Sequence, residues 1–306
     1  MKAHDGVRND ISVYGQEQNP TTWRLAKMNL ALRGIEANLG PEWGDSFTND
    51  QHADLRADFV IANPPFNIKN WGADKLAGDV RWQHGNPPAN NANFAWIQHM
   101  LHHLKPTGTM ATVLANGSLS GQAGGEGEIR KNLVEKDLVE CIVALPGQLF
   151  FTTQIPVCLW FLTKDKSGQA VKSERSQRAR HGQVLFIDAR QLGDMVSRTN
   201  KELTNIELAY IADIYHAWRG EPGQSSYEDV PGFCASVSLE QIAEHGHVLT
   251  PGRYVGSEAV EKDNEPLDDK ISRLTSDVRA GFERRAKLQN LVLGSLDALT
   301  LNAPNA

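Results

Sequence analysis

The sequence predicts an α/β protein built on a largely parallel sheet, with a helical extension at its C-terminal end. Three observations carry that prediction. Short apolar runs alternate with helical patterns through about residue 190, which is the signature of a sheet covered by crossover helices. The longest apolar candidate, "IPVCLWFL", is only strand length, so no segment approaches the roughly 18 apolar residues of a membrane span. Beyond residue 190 the pattern shifts to helices and polar turns such as "GEPGQSSYEDVPGF", with no strand strong enough to extend the sheet.

Taken in order, the first strand is expected over 10–17, "DISVYGQE". The helix that follows has Asn19 as its N-cap, Pro20 in its first turn and Gly34 past its end, each suited to that position. Leu25, Met28 and Leu32 form one apolar face. The next strand is "DFVIAN", 58–63. In "NFAWIQHMLHHLKPTG", Phe94, Ile97, Leu101 and Leu104 face inward, and Pro106 and Gly108 close the helix. Four further strands are expected at 109–116, 138–146, 156–163 and 184–189. From Pro266 onward, Leu267, Ile271, Leu274 and Val278 recur at helical spacing among dense charge, which predicts a helix or short coiled coil. Such a helix either packs on its own domain or is reserved for a partner subunit. The domain division expected is a catalytic domain over 1–190, a helix and loop extension over 191–260, and a helical segment over 261–306.

With 40% apolar and 22% charged residues, the chain reads as a soluble globular protein. Its charged start "MKAHDGVRND" lacks the apolar centre of a signal peptide, and Cys141, Cys158 and Cys234 are an odd number without a CxxC pair. A reducing cytoplasm, with no membrane, is therefore expected. The formal net charge of -6 argues against a protein that grips DNA unaided by neutralising phosphates. If DNA is the substrate, a partner supplies much of the grip. One locally basic run, 164–182, has Lys or Arg at 164, 166, 172, 175, 178 and 180; it reads as a solvated loop or as a phosphate contact.

The stretch "ADFVIANPPFNIKNWG" carries the chemistry. In open α/β sheets, ligands bind beyond the carboxyl ends of the strands, so Asn63 stands at the mouth of a site. Its side-chain carbonyl and the main-chain carbonyl of Pro64 are acceptors. Pro64 and Pro65 each fix φ, and Pro64 excludes Asn63 from the helical region, so both acceptors are held rigidly. Two rigid acceptors suit an NH2 group such as the exocyclic amine of adenine; accepting both hydrogens frees its lone pair for an electrophilic methyl group. Phe66 can stack on a base flipped out of its duplex. Composition alone also allows a simple strand-ending turn, since Asn-Pro is a common breaker pair.

The segments "YGQEQNPTTWRLAKMNLALRGI", "DFVIANPPFN", "NANFAWIQHMLHHLKPTGTMATVLANGSLS", "GEGEIRKNLVEKDLVECIVALPGQLFFTTQIPVCLWFL", "VLFIDAR", "YHAWRG", "PGFC" and "LTPGRYVG" together resemble the modification subunit of type I restriction-modification systems, the N6-adenine DNA methyltransferases. The resemblance runs from about residue 11 to about residue 256. It implies a Rossmann-like, S-adenosylmethionine-dependent methyltransferase fold whose strands are ordered 3-2-1-4-5-7-6. It further implies methyl transfer from S-adenosylmethionine to the N6 amine of adenine in DNA, in a complex with a specificity subunit, which reads the DNA, and a restriction subunit. Asn63, Pro64, Pro65 and Phe66 match the family's catalytic tetrapeptide. Glu17 matches the acid that bonds the ribose hydroxyls of the cofactor, the device dinucleotide folds also use. Asp45 occupies the place of the acid near the cofactor's adenine, and Asn63 also belongs to the cofactor pocket. Phe150 or Phe151 resembles the second aromatic wall around the base; Phe150 is preferred, because adjacent residues of an extended segment point opposite ways.

Relative to that family, the chain is expected to lack the helical N-terminal domain and the glycine-rich strand and loop that wrap the methionine part of the cofactor. The missing first strand belongs between the strand of Glu17 and that of Asn63, so the expectation is either two unsatisfied strand edges or an improvised direct pairing. A truncated, catalytically inactive scaffold for the specificity subunit is thus the alternative function. Methylation of a protein amide shares the tetrapeptide alone. The glycine-rich "NGSLSGQAGGEGEIRK" is expected as a mobile loop beside the DNA-facing site, not a nucleotide cradle. His99, His102 and His103 share one helical turn without a carboxylate or thiolate at metal spacing, so no metal is expected.

Overall fold

A computed structural model describes residues 11–169, 177–257 and 267–301. It divides into two compact units, residues 1–258 and 259–306. The first unit is organised by a six-stranded sheet. Its strands are β3 (Ala57–Ala62), β4 (Leu104–Ala115), β5 (Val139–Ala144), β6 (Val157–Thr163), β7 (Gln183–Asp188) and β10 (Cys234–Ser238), in the order β10-β7-β5-β6-β4-β3. Pairing is parallel between β3 and β4 and between β5 and β7, while β6 and β10 run antiparallel to their neighbours. The run β3-β4-β6-β5 reproduces the 4-5-7-6 half of the strand order that the resemblance implies.

Strand β10 corrects the expectation that no strand beyond residue 190 extends the sheet. "CASVS" is short and built of small residues, and it becomes a strand by pairing along the edge of β7 from Cys234↔Ile187 to Ser238↔Gln183. Within the first unit, β10 adds a sixth strand at the β7 edge of the sheet.

Side chains of each strand alternate between two faces. On one, Met110 and Leu114 of β4, Ile142 of β5 and Trp160 of β6 pack against Phe94, Ile97 and Leu101 of α2 (Asn93–His102) and Ile129 and Leu133 of α3 (Glu126–Glu135). On the other, Cys141, Val143, Leu185 and Ile187 meet Trp218 of α4 (Asn205–Arg219). A capping box at Thr204 and Glu207 starts α4, and Gly220 in the left-handed region ends it. The helix expected to end at Pro106 and Gly108 stops instead at His102. Those two residues lie inside β4, where the β3 register jumps from Ala57↔Leu104 to Phe59↔Thr109. Proline cannot donate to a ladder, and a Cβ on Gly108 would lie 2.9 Å from the Asp58 carbonyl, so the irregularity falls there.

The front of the unit is built separately. Strand β1 (Val13–Tyr14), much shorter than expected, pairs in parallel with β2 (Ala37–Asn38) in a two-stranded sheet. Helix α1 (Pro20–Leu32) is capped by Asn19, whose side chain accepts from the Thr21 and Thr22 amides. It buries none of its residues, and Leu25, Met28 and Leu32 are exposed. Direct pairing of β1 with β3 does not occur: among the described residues β3 is an edge strand, with Phe59 76% and Ile61 81% exposed on its uncovered face.

Three cations of the basic run depart from both expectations. Of its described cations, Lys166 is buried on Asp137 and the carbonyls of Val139 and Gln183, and Arg180 is buried on Glu140. Arg178 lies over the Trp218 ring, 4.9 Å from its centroid. These are ties within the fold. Lys172 and Arg175 lie outside the described residues. In the second unit, α6 (Leu267–Leu301) is the expected helix, and Ile271, Leu274, Val278, Phe282, Leu288 and Val292 are exposed along it. No helix among the described residues is long and apolar enough to cross a membrane.

Candidate active site

Strand β3 delivers Asn63 to the carboxyl edge of the sheet. Asn63 is exposed, Pro64 is buried behind it, and Phe66 is half-buried. The chain then turns at Asn67, whose φ of 54° lies in the left-handed region that asparagine tolerates. That turn is fixed by a reciprocal amide pair. The Asn67 amide donates to Asn93 Oδ1 at 3.1 Å, and Asn93 Nδ2 donates to Asn67 Oδ1 at 2.9 Å. The Ala92 amide donates to the Ile68 carbonyl at 3.0 Å. The tetrapeptide is thereby tied to the start of α2, by two residues that sequence reasoning passed over; the asparagines flanking "NPPF" and "NF" were the available signal.

The loop between β5 and β6 begins at the same edge, because β5 runs parallel to β3 through the sheet. It brings Phe150 to Phe66, with ring centroids 6.1 Å apart and planes at 66°, an edge-to-face contact. Phe151 is 92% exposed.

Two acids distant in sequence come together. The Gly44 amide donates to the Glu17 carbonyl at 3.0 Å, placing Asp45 next to the end of β1. Glu17 Oε1 accepts from the Asn19 amide, and among the described residues Oε2 has no hydrogen bond. Asp45 Oδ1 accepts from the amides of Phe47 and Thr48, which closes an Asx turn, and among the described residues Oδ2 has no hydrogen bond. Each carboxylate thus has one oxygen holding the backbone and one available, as hydroxyl and amine donors of a nucleoside require. These residues fit the sugar and base of an adenosyl group.

The acid-bearing turn is held against the segment following the tetrapeptide by aromatic packing. Phe47 meets Trp71 at 5.0 Å and Trp96 at 4.3 Å between centroids, and Trp71 meets Trp82 at 5.7 Å. Ile68 packs on the same cluster. Buried Arg81 completes the tie: its guanidinium grips both oxygens of Asp79 at 2.8 Å and donates to the carbonyls of Ser46 and Phe47. The Arg81 hydrogen bonds hold the Asp79 carboxyl below its ordinary range.

The structure adds Asp50 to the histidine turn. Ligating atoms of Asp50, His99 and His103 lie within 4.8 Å of one another. These atoms are already engaged. His103 lies between the Leu55 carbonyl at 3.1 Å and Asp50 Oδ2 at 2.9 Å. His99 Nδ1 faces Arg81 at 3.2 Å; a guanidinium only donates, so this nitrogen accepts and the ring is neutral. Burial first, then the charge of His103, pushes the His99 pKa down to about 3. Burial alone would raise the Asp50 carboxyl, but the His103 hydrogen bond and the His52 amide carry it well below its usual range. The arrangement is a hydrogen-bonded brace between the 44–52 loop and α2. The glycine-rich segment is likewise anchored: Arg130 donates to the Gly121 carbonyl at 2.7 Å and to the His247 carbonyl at 2.7 Å.

A family profile described as N-6 DNA Methylase matches residues 1–263. The chain is 49% identical over 299 residues to the type I restriction enzyme HindI methylase subunit of Haemophilus influenzae, covering 98% of this chain and 64% of that protein. It is 38% identical over 298 residues to the MjaIX methylase subunit of Methanocaldococcus jannaschii, covering 95% and 50%. Among solved structures, the type I restriction-modification methyltransferase subunit of Streptococcus thermophilus matches with a TM-score of 0.65 at 29% identity, over 79% of this chain and 48% of that one. The chain therefore spans roughly half to two thirds of the length of these two methylase subunits.

Proposed function

The chain belongs to the N-6 DNA methylase family, and from that premise we propose that it transfers a methyl group from S-adenosylmethionine to the N6 amine of adenine in DNA, as the modification subunit of a type I restriction-modification complex. The observation that carries this reading is the rigid pair of acceptors at Asn63 and Pro64, set beside the Phe66 and Phe150 rings at one edge of the sheet.

S-adenosylmethionine, when bound, supplies an electrophilic methyl group. Glu17 would accept hydrogen bonds from the ribose hydroxyls, and Asp45 would serve the adenine of the same molecule. The target base leaves its duplex, and part of its lost stacking is recovered on Phe66, with Phe150 as the adjoining wall. Asn63 Oδ1 and the Pro64 carbonyl accept the two N6 hydrogens. With Pro64 buried and φ fixed at two successive residues, these acceptors require little reorganisation as charge develops on nitrogen. Sequence reading of DNA belongs to a specificity subunit, consistent with a net charge of -6. The apolar row Ile271, Leu274, Val278 of α6 suits helix-to-helix contact with that subunit, and a restriction subunit joins the same cytoplasmic complex.

The test is labelled methyl incorporation into duplex DNA by the chain assembled with its specificity subunit. Asn63→Ala is expected to lower incorporation by about 100-fold or more while leaving the far-UV spectrum unchanged. Undiminished incorporation would overturn the assignment.

A further inference from the structure

At the opposite edge of the sheet from Asn63 lies a cavity of about 180 Å³ whose lining includes Arg56, Lys164, His84 and His102. Arg56 immediately precedes β3, whose six residues at about 3.3 Å each put it roughly 20 Å from Asn63. Lys164 follows β6, which runs antiparallel to β4, and so arrives beside the start of β4, where Nζ donates to the Leu104 carbonyl at 2.8 Å. Arg56 donates to the carbonyls of Ala53 and Leu55 and faces His102 Nε2 at 3.3 Å. No carboxylate lines the cavity. Neither Arg56 nor Lys164 has an ion pair among the described residues, whereas Arg81, at the same wall, is matched by Asp79.

His84 is held to present its ring there. Its amide donates to Gln98 Oε1 at 2.9 Å, and its carbonyl accepts from Asn132 Nδ2 at 2.9 Å. Its ring Nδ1 is buried without a partner. A buried polar atom without a partner costs on the order of 1–3 kcal/mol, and uncompensated cations around it add to that cost. The field shows in the neighbours. Burial and then the charges of Lys136 and Lys164 push the His84 pKa down to about 4, and burial and then Arg56 lower both His102 and Lys164. Burial leads each of these shifts, and the neighbouring cations add to it.

We propose that this cavity binds a phosphate group, held by Arg56 and Lys164 and by the protonated ring of His84. A tetrahedral oxyanion offers several acceptors to converging donors, satisfies His84 Nδ1 and neutralises the local excess. The site also gives Lys164 the phosphate contact that one reading of the basic run expects.

The experiment is a histidine-resolved NMR titration of the full chain with inorganic phosphate, with chloride exchanged to hold ionic strength constant. Saturable shifts of the His84 and His102 ring signals are expected, and the protonation midpoint of His84 should rise from about 4 when phosphate is bound. Arg56→Gln and Lys164→Gln, each checked for folding by circular dichroism, should weaken binding by about tenfold or more, as loss of a charge-assisted donor implies. His84→Phe provides a further variant, followed through His102. A short duplex in a parallel titration separates two sources: the same shifts with the same variant dependence would identify a DNA backbone phosphate, and shifts with inorganic phosphate alone a small anion. Shifts that never saturate, or affinities equal across the variants, would overturn the proposal.

Discussion

Phe66 and Phe150 meet edge-to-face with centroids 6.1 Å apart, although one follows β3 and the other lies in the loop between β5 and β6. Both strands run in the same direction, so both loops leave the same edge of the sheet, and the two rings join the apolar cluster that α4 covers. The aromatic wall beside Asn63 is therefore a consequence of strand direction.

Substitution at 150 and at 151 should have unequal effects. Stacking of a base on an aromatic ring is worth about 1–3 kcal/mol, so Phe150→Ala is expected to raise KM for DNA by about tenfold or more. Phe151 is 92% exposed, and Phe151→Ala should leave KM within about twofold. Steady-state methylation of a duplex by the assembled complex distinguishes them; equal effects would remove Phe150 from the wall.

The ion pair of Glu140 and Arg180 should be unforgiving. Glu140 is 0% and Arg180 2% exposed, the guanidinium donates to Oε1 at 2.8 Å, and the Tyr215 hydroxyl donates to Oε2 at 2.8 Å. Glu140→Gln leaves a buried cation uncompensated, at a cost of about 3–5 kcal/mol. Replacing both residues by apolar ones of similar volume should recover most of that loss. Urea midpoints of the two variants are the measurement, and a single variant as stable as the parent would contradict the argument.

Stability should fall on mild acidification through His99. Its folded pKa is about 3 against an ordinary 6.5, so between those values the unfolded chain takes up a proton that the folded chain refuses. Its contribution is complete above about pH 6.5 and lost as pH falls toward 3, at up to about 1.4 kcal/mol per pH unit. Asp50, with its carboxyl depressed, adds its own loss only below about pH 3.8, where the unfolded chain's carboxyl takes up a proton. His84, at about 4, contributes in the same direction, so His99→Gln should flatten the dependence in part. Urea midpoints at pH 7.5, 6 and 5 test this, and identical slopes for parent and variant would refute it.

Much of the fold was legible because it is local. The strands at β3, β4, β5, β6 and β7 show as apolar runs, and α1 carries its own cap. Strand β10 was not legible, since "CASVS" has no apolar pattern of its own and is a strand only beside β7. Nor was the fate of the basic run: Lys166 and Arg180 look like surface charge until Asp137 and Glu140 are folded against them. The apolar face of α1 was read correctly as a pattern, yet nothing among the described residues covers it.

At the site, the sequence by itself determined the tetrapeptide and its stiffness. Two prolines constrain their own backbone and that of Asn63 wherever the chain goes. Only the tertiary structure decided what those acceptors stand beside. Glu17 and Asp45 meet through the Gly44 amide, the Asp45 turn rests on Phe47, Trp71 and Arg81, and Phe150 rather than Phe151 faces Phe66. Backbone stiffness and caps depend on residues a few positions apart, whereas these neighbours exist only once the sheet order has closed loops tens of residues long.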